Sequence, residues 1–350
     1  MQVAILGAGA VAYGNAALLC HNGHDVVLWS PSGRRTAALS AGAPLQATGA
    51  VEGLYEPRVA ESCADALADA EAVVVAVPGY GYRQVIGAAA PHLRSEQVVV
   101  FSSHMSLGAL YLEGLLRTRG VASTIAALGT TVTTGRQTSD VSVTVGTIRA
   151  RVDVTVLPGS ATTIAVDVCR ALFGDRFSSR TGLLALALSN MNAQNHLAIA
   201  LCNLTRMELG ETWGQNRNLT PAVARLIEAL DLERLSIAKA FGVEVRTVHE
   251  HFHASFGIPI APLADMAEVL AQRPKGVNGP TTLDTRYVTE DVPFGLVPTI
   301  RLAALANVHV PLHASGLNLM SALYGRDFES ENDILPLLGP LSLTMLNGAA

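Results

Sequence analysis

Two glycines within the first nine residues limit what this chain can become. Met1–Leu6 (MQVAIL) reads as a short buried strand, and Gly7-Ala8-Gly9-Ala10-Val11-Ala12 leads into an Ala- and Leu-rich helix that runs to about Asn22. In such a strand–turn–helix unit the first glycine permits the tight turn. The second lets a pyrophosphate approach the backbone at the helix N-terminus, and Ala12 keeps helix and strand close. The GxGxxA pattern alone is weak. Between a first strand and a second, Asp25–Trp29, it is strong.

The second strand should end where the ribose of a bound dinucleotide is read. An acid there would accept from the 2′-hydroxyl of NAD, but the chain continues Ser30-Pro31-Ser32-Gly33-Arg34-Arg35. A missing acid and two nearby arginines suit a 2′-phosphate, so NADP is the expected cofactor, with NAD as the alternative. The competing reading makes Arg34 and Arg35 solvated residues at a helix start.

Strands and helices then alternate. Buried strands are expected at Ala72–Val77, ending in Pro78-Gly79, and at Gln97–Ser102, ending in Ser103-His104. Thr130–Thr138 reads as a polar loop carrying Arg136, and Val141–Val145 with Arg151–Leu157 reads as an antiparallel pair. β-branched strands alternating with helices mean a doubly wound sheet, whose ligands sit beyond the C-terminal strand ends. Val77, Pro78, Ser103 and His104 therefore join Gly7–Ala12 on the expected cofactor rim. From Thr181 onward strand signals largely vanish. The fold expected is α/β: an N-terminal Rossmann doubly wound domain, 1–181, followed by an all-helical C-terminal domain, 182–350.

Composition removes several classes of function. The net charge of −5 argues against nucleic acid as the main partner. The four cysteines are scattered without a CxxC or Cys/His cluster, which fits a reducing compartment and gives no metal site. His249, His251 and His253 alternate without an acid or cysteine at ligand spacing and read as solvated helix positions. No leader-like n-region and no clean membrane-length apolar run is visible, so a cytoplasmic homodimer with small-molecule substrates and no membrane contact is expected.

The run Gly182–Met207 has the composition of a buried helix but carries Asn192, His196 and Asn203. At ~100° per residue, His196 lies about 40° around the axis from Asn192 and Asn203 about 20°. Burying three polar groups without partners would cost about 1–3 kcal/mol each. That face should meet polar partners or a wet cleft. Periodicity alone leaves it undecided between a pocket wall and a set of satisfied core residues.

Leu188–His196 (LSNMNAQNH), the helix Thr220–Gly242 and Thr285–Pro298 (TRYVTEDVPFGLVP) resemble the octopine/nopaline-type opine dehydrogenases, especially their bacterial N-(1-carboxyethyl)amino-acid dehydrogenase branch. The resemblance runs through nearly the whole chain. It implies reductive condensation of an amino acid or amine with a 2-oxo acid, and it maps the catalytic histidine onto His196 and its aspartate onto Asp291. The chain departs from the pattern at Leu197, where relatives often have Pro. It departs again at Ser102-Ser103-His104, where they have Asn-Pro-Gly, and at Glu211–Arg217. The related β-hydroxyacid, ketopantoate and glycerol-3-phosphate dehydrogenases generally use a lysine on the second domain's first helix. Here only Lys239 and Lys275 occur, and neither lies in that helix.

The chemistry agrees independently. Hydride delivery to C=O or C=N calls for an acid that works near pH 7, which is histidine, and a carboxylate partner fixes its tautomer. From sequence alone Asp291 reads first as an acid capping a helix, and the family resemblance reverses that. Substrate carboxylates need arginine or amide donors: Arg286, Arg136, Asn192 and Asn203 are the candidates, with His104 beside the nicotinamide. Two alternatives stay open, a 2-oxo acid or ketone reductase without an amine and a non-catalytic NADP-binding redox sensor.

Overall fold

The computed structural model describes residues 1–274 and 276–347, so Lys275 lies outside the described residues. The chain divides into two compact units, Met1–Ala187 with the chain from Ile334 onward, and Leu188–Asp333. The second unit thus starts a few residues later than the expected 182, and the C-terminal segment joins the first. Gly182 shows how: a Cβ there would stand 3.1 Å from the Asn347 side-chain oxygen.

The first unit holds twelve strands among the described residues: β1 (Gln2–Leu6), β2 (Asp25–Trp29), β3 (Leu45–Gly49), β4 (Gly53–Tyr55), β5 (Arg58–Val59), β6 (Ala72–Val75), β7 (Val98–Phe101), β8 (Thr124–Leu128), β9 (Thr133–Ser139), β10 (Ser142–Ile148), β11 (Val152–Leu157) and β12 (Phe177–Ser179). Eight form one sheet in the order β12-β11-β8-β7-β6-β1-β2-β5. Neighbours run parallel except β8 and β11, which are antiparallel. β6 (AVVV) and β7 (VVVF) are buried throughout. Such continuous apolar runs are what a sheet covered on both faces requires. Its helices are α1 (Ala10–His21), α2 (Ala37–Ser40), α3 (Cys63–Leu67), α4 (Tyr82–Ala89), α5 (Gly108–Thr118) and α6 (Thr162–Phe173); α7 (Leu183–Ser189) straddles the unit boundary. The order reverses about β1, whose neighbours are β2 and β6, and this is where such sheets bind nucleotides.

A second sheet, β4-β3-β10-β9, corrects two expectations. Residues 133–139 are a strand, not a loop, and β10 pairs with β9 and, in parallel, with β3 rather than with β11. β11 instead pairs antiparallel with β8 in the large sheet. The small sheet packs on α1 through two glycines. A Cβ on Gly14 would stand 2.9 Å from Thr133 Oγ1, and one on Gly135 would stand 2.5 Å from the Ala10 carbonyl.

The second unit is helical: α8 (Asn192–Cys202), α9 (Leu204–Glu208), α10 (Pro221–Ala240), α11 (Val248–Phe256), α12 (Leu263–Ala271), α13 (Arg286–Thr289), a π turn (Val292–Leu296), α14 (Val297–Leu305) and α15 (Pro311–Tyr324). A last short helix, α16 (Leu343–Leu346), belongs to the first unit. Thr220 is the N-cap residue of α10 in extended geometry, without a side-chain capping bond, and Pro221 takes the first helical position. The single helix expected over 182–207 is three pieces. The Asn190 side chain accepts from the Asn192 N–H at 3.0 Å and restarts the helix, while Asn203 ends it with its amide donating back to the Ile199 carbonyl at 2.9 Å. Arg234, buried in α10, donates to Asp231 at 2.6 Å and to the carbonyls of Leu188 and Arg246, fixing the approach to α8. Among the described residues, no helix is long and apolar enough to cross a membrane.

Candidate active site

The glycine turn is built as expected. Gly7 has φ 141°, and a Cβ there would stand 2.3 Å from the Ala76 carbonyl, so no other residue fits. Gly9 is the N-cap of α1 and carries no side-chain cap. The first-turn N–H groups of Ala10, Val11 and Ala12 therefore remain available to an anion, which the helix dipole favours. A Cβ on Gly9 would meet Arg35 Nη1 first, and only at 3.8 Å. The turn is open to a ligand on that side and overlooked by a guanidinium.

Arg34 and Arg35 begin a short 3₁₀ turn after Gly33, whose φ of 63° turns the chain. Tyr13 of α1 donates its hydroxyl to the Arg35 carbonyl at 2.6 Å and so holds that turn against the helix. Burial, with Asp140 adding to it and Arg35 opposing, pushes the Tyr13 phenol up to about 12, so it stays a donor. Ser30 Oγ is buried and has no protein partner among the described residues. Bare helix N–H groups, an orphaned hydroxyl and two arginines are a donor set that fits a dinucleotide.

Behind the turn, Asn15 bridges two strands: its amide donates to Ser102 Oγ at 3.0 Å, and its oxygen accepts from Thr133 Oγ1 at 2.9 Å. All three side chains are buried. Val77, Pro78 and Ser103 lie half-buried beyond β6 and β7, and the Ser103 carbonyl accepts from the Tyr82 hydroxyl. His104, expected beside the nicotinamide, is buried, and its Nε2 has no protein partner among the described residues. Its backbone N–H is tied to the Leu128 carbonyl at 2.8 Å, and the ring is buried edge-on to Phe101. Burial lowers its imidazole to about 4. Arg136 points from an exposed position of β9, on the small sheet.

The second unit brings His196 and Asp291 together. Nδ1 of His196 lies 2.6 Å from Asp291 Oδ2, with 14% of the histidine side chain and 1% of the aspartate exposed. Asp291 is the residue on which the π turn starts, a helix form that concentrates at functional sites. With the Asp291 carboxylate accepting from Nδ1–H, Nε2 is the ring's remaining nitrogen, and among the described residues nothing bonds it. Asp291 Oδ1 is buried without a protein partner among the described residues.

Two further residues complete this arrangement that sequence reasoning passed over. Tyr287 stacks on His196 with ring centroids 3.6 Å apart and planes 9° from parallel. Its hydroxyl donates to Gln215 Oε1 at 2.6 Å. Burial raises the Tyr287 phenol above the ordinary tyrosine value, Arg286 and the Gln215 hydrogen bond opposing and Asp291 reinforcing. Tyr287 stands inside Thr285–Pro298, which carries the family resemblance, and Gln215 inside Glu211–Arg217, where the chain departs from it; no periodicity marks either.

The remaining candidates divide. Asn192 is exposed at the start of α8, one turn before His196. Asn203 is buried and its amide is spent on its own helix. Arg286 is 61% exposed and loosely paired with Glu290 at 3.5 Å. Of the histidine run, His249 bonds Glu228 at 3.0 Å and His253 bonds the Ile258 carbonyl at 2.7 Å. Among the described residues, no cluster of three His, Cys, Asp or Glu could hold a metal.

A Rossmann sheet with an open glycine turn, and a helical unit carrying a carboxylate-held histidine, is the build of a nucleotide-dependent dehydrogenase. Residues 179–324 match the model of the NAD/NADP octopine/nopaline dehydrogenase α-helical domain, and residues 3–103 match ketopantoate reductase PanE/ApbA. Over 347 residues the chain is 30% identical to an opine dehydrogenase of Arthrobacter sp. (strain 1C), covering 97% of this chain and 96% of that protein. A vitopine synthase of Allorhizobium ampelinum is 29% identical over 143 residues, 40% of this chain and 39% of that one. In fold it is similar to octopine dehydrogenase solved with NADH and L-arginine, with TM-score 0.82 at 17% identity over 100% of this chain and 98% of that one. It is similar likewise to NADP⁺-bound yersinopine dehydrogenase, with TM-score 0.71 at 17% identity over 97% and 98%. The chain belongs to the opine dehydrogenase family of NAD(P)-dependent oxidoreductases.

Proposed function

We propose that this chain reductively condenses an amino acid or amine with a 2-oxo acid, with NADPH preferred over NADH. The observation that carries the reading is the His196–Asp291 pair, with Nε2 left for a reacting group. Full-length similarity to an opine dehydrogenase supports it.

The attacking amine must lose a proton, and the carbinolamine oxygen must gain one before it leaves as water. A neutral imidazole whose Nδ1–H is held by a carboxylate takes the first proton at Nε2 and returns it in the second step. Asp291 fixes the tautomer throughout and balances the charge of the imidazolium between the steps. When bound, the nucleotide supplies the hydride that reduces the resulting C=N carbon. Gly7–Ala12, Ser30, Arg34 and Arg35 would hold it, the arginines favouring the 2′-phosphate. Arg286, only weakly engaged by Glu290, is the proposed carboxylate donor.

The test is NADPH oxidation with single and paired substrates, followed by product mass. Consumption is expected only when an amine and a 2-oxo acid are both present, with a secondary amine as product. Equal turnover of the oxo acid alone would replace this reading with a simple reductase, and tight NADPH binding without any turnover would replace it with a sensor.

A further inference from the structure

We propose that Tyr287, clamped by Gln215, is the positioning residue that sets the plane of the His196 ring. The proton-handling group is then a stacked unit of four side chains rather than a histidine–aspartate pair. The proposal rests on the reading of His196 as the acid–base group.

One hydrogen bond does not orient an imidazole. The contact between Nδ1 and Asp291 Oδ2 fixes one edge of the ring but leaves it free to rotate about that axis, which would swing Nε2 away from a substrate. A tyrosine face 3.6 Å away and 9° from parallel removes this freedom. The tyrosine is itself held at both ends. Its backbone N–H is accepted by the Thr285 hydroxyl at 3.4 Å, and its own hydroxyl by Gln215 at 2.6 Å.

Gln215 in turn sits on a fixed strip. Its N–H donates to the Val277 carbonyl at 2.8 Å, and Gly214 bridges Asn278. The Trp213 indole N–H reaches the Pro280 carbonyl at 3.0 Å while its ring lies over Gly279, where a Cβ would stand 2.3 Å from the indole. Several otherwise irregular residues are thus ordered so that one amide oxygen can grip one phenol.

Among the described residues, Tyr287 and Asp291 are the two groups that stack on or hydrogen-bond the His196 ring. Nearby charged groups hold partners of their own. Arg286 and Glu290 face each other at 3.5 Å, Asp231 and Arg234 of α10 form a pair, and Arg206 of α9 pairs with Glu211 at 3.6 Å. Glu233 of α10 holds His313 of α15 at 2.7 Å, and that ring's other nitrogen meets Gln194.

The experiment compares Tyr287→Leu, Tyr287→Phe and Gln215→Leu in the full chain. It reads kcat, KM and the chemical shifts of the His196 ring, assigned with His196→Gln. Loss of the stacked face should shift the His196 ring resonances in Tyr287→Leu and lower kcat roughly 10–100-fold with KM little changed, in line with misplacement of an acid–base group.

Tyr287→Phe keeps the ring and should retain the wild-type His196 ring shifts while losing the clamp. Its kcat should match that of Gln215→Leu, and the double variant should be no worse than either single one, because both cut the same link. Unchanged His196 ring shifts in folded Tyr287→Leu, with kcat within about twofold of wild type, would overturn the proposal. If Tyr287→Leu does not fold, additive losses in Tyr287→Phe with Gln215→Leu would overturn it instead. Failure of the underlying reading looks different: His196→Gln would keep its turnover, whatever the ring shifts in the Tyr287 variants.

Discussion

A Cβ on Gly295 would stand 3.0 Å from the Cβ of Ala193, so the π turn meets α8 nearly as closely as two backbones allow. Asp291 lies one turn before Gly295 and His196 nearly one turn after Ala193, and their hydrogen bond depends on this approach. Gly295→Val should push the two elements apart, costing about 1–3 kcal/mol of stability from overpacking. Its kcat should fall more than its substrate binding, because the carboxylate would no longer fix the ring. Denaturant unfolding and steady-state kinetics on the same preparation check both. A fully active Gly295→Val would show that the close approach is incidental.

The position of Arg35 over the glycine turn makes cofactor preference testable. Arg35→Ala with Arg34→Ala should lower kcat/KM for NADPH by roughly 10–100-fold and leave NADH nearly unchanged, the loss expected for charge-assisted hydrogen bonds to a phosphate. An equal loss with both nucleotides would mean that the arginines serve the pyrophosphate instead. A wild-type preference for NADH would remove the argument from the missing acid.

His104 gives the fold a pH dependence of definite sign. Burial lowers the folded imidazole from 6.5 to about 4, so between these values the unfolded chain takes up a proton that the folded chain refuses. The contribution is therefore full above about pH 6.5 and is lost progressively toward pH 4, amounting to about 2 kcal/mol by pH 5. His104→Leu should lose correspondingly less stability than wild type on going from pH 7 to pH 5 in urea unfolding. Parallel losses would show that the ring takes up its proton without unfolding.

What the sequence makes legible follows from locality. The Gly7–Ala12 turn, β2 and α10 are encoded by neighbouring residues, and the structure has them where the pattern puts them. β9 is hidden because TTGRQTS carries no apolar alternation. It becomes a strand by pairing with β10 and lying against α1, through Gly14 of the helix and its own Gly135. β10 misleads in the same way, since its parallel partner β3 lies nearly a hundred residues upstream. The breaks at Asn190 and Asn203 depend on side chains folding back on their own backbone, so Asn203 is turned onto its own helix, while Asn192 and His196 stay one turn apart on α8. His196 and Asp291 are reached through resemblance, whereas the Tyr287 stack is a tertiary contact that no spacing announces.

The central claim is that His196 and Asp291 act as one acid–base unit. Its most direct test is kcat/KM for His196→Gln, Asp291→Asn and the double variant, with NADPH affinity measured alongside. Losses of about 10²–10⁴ are predicted for each single variant, with no further loss when they are combined and an unchanged nucleotide Kd. Single variants within a few-fold of wild type, or losses that multiply in the double variant, would contradict it.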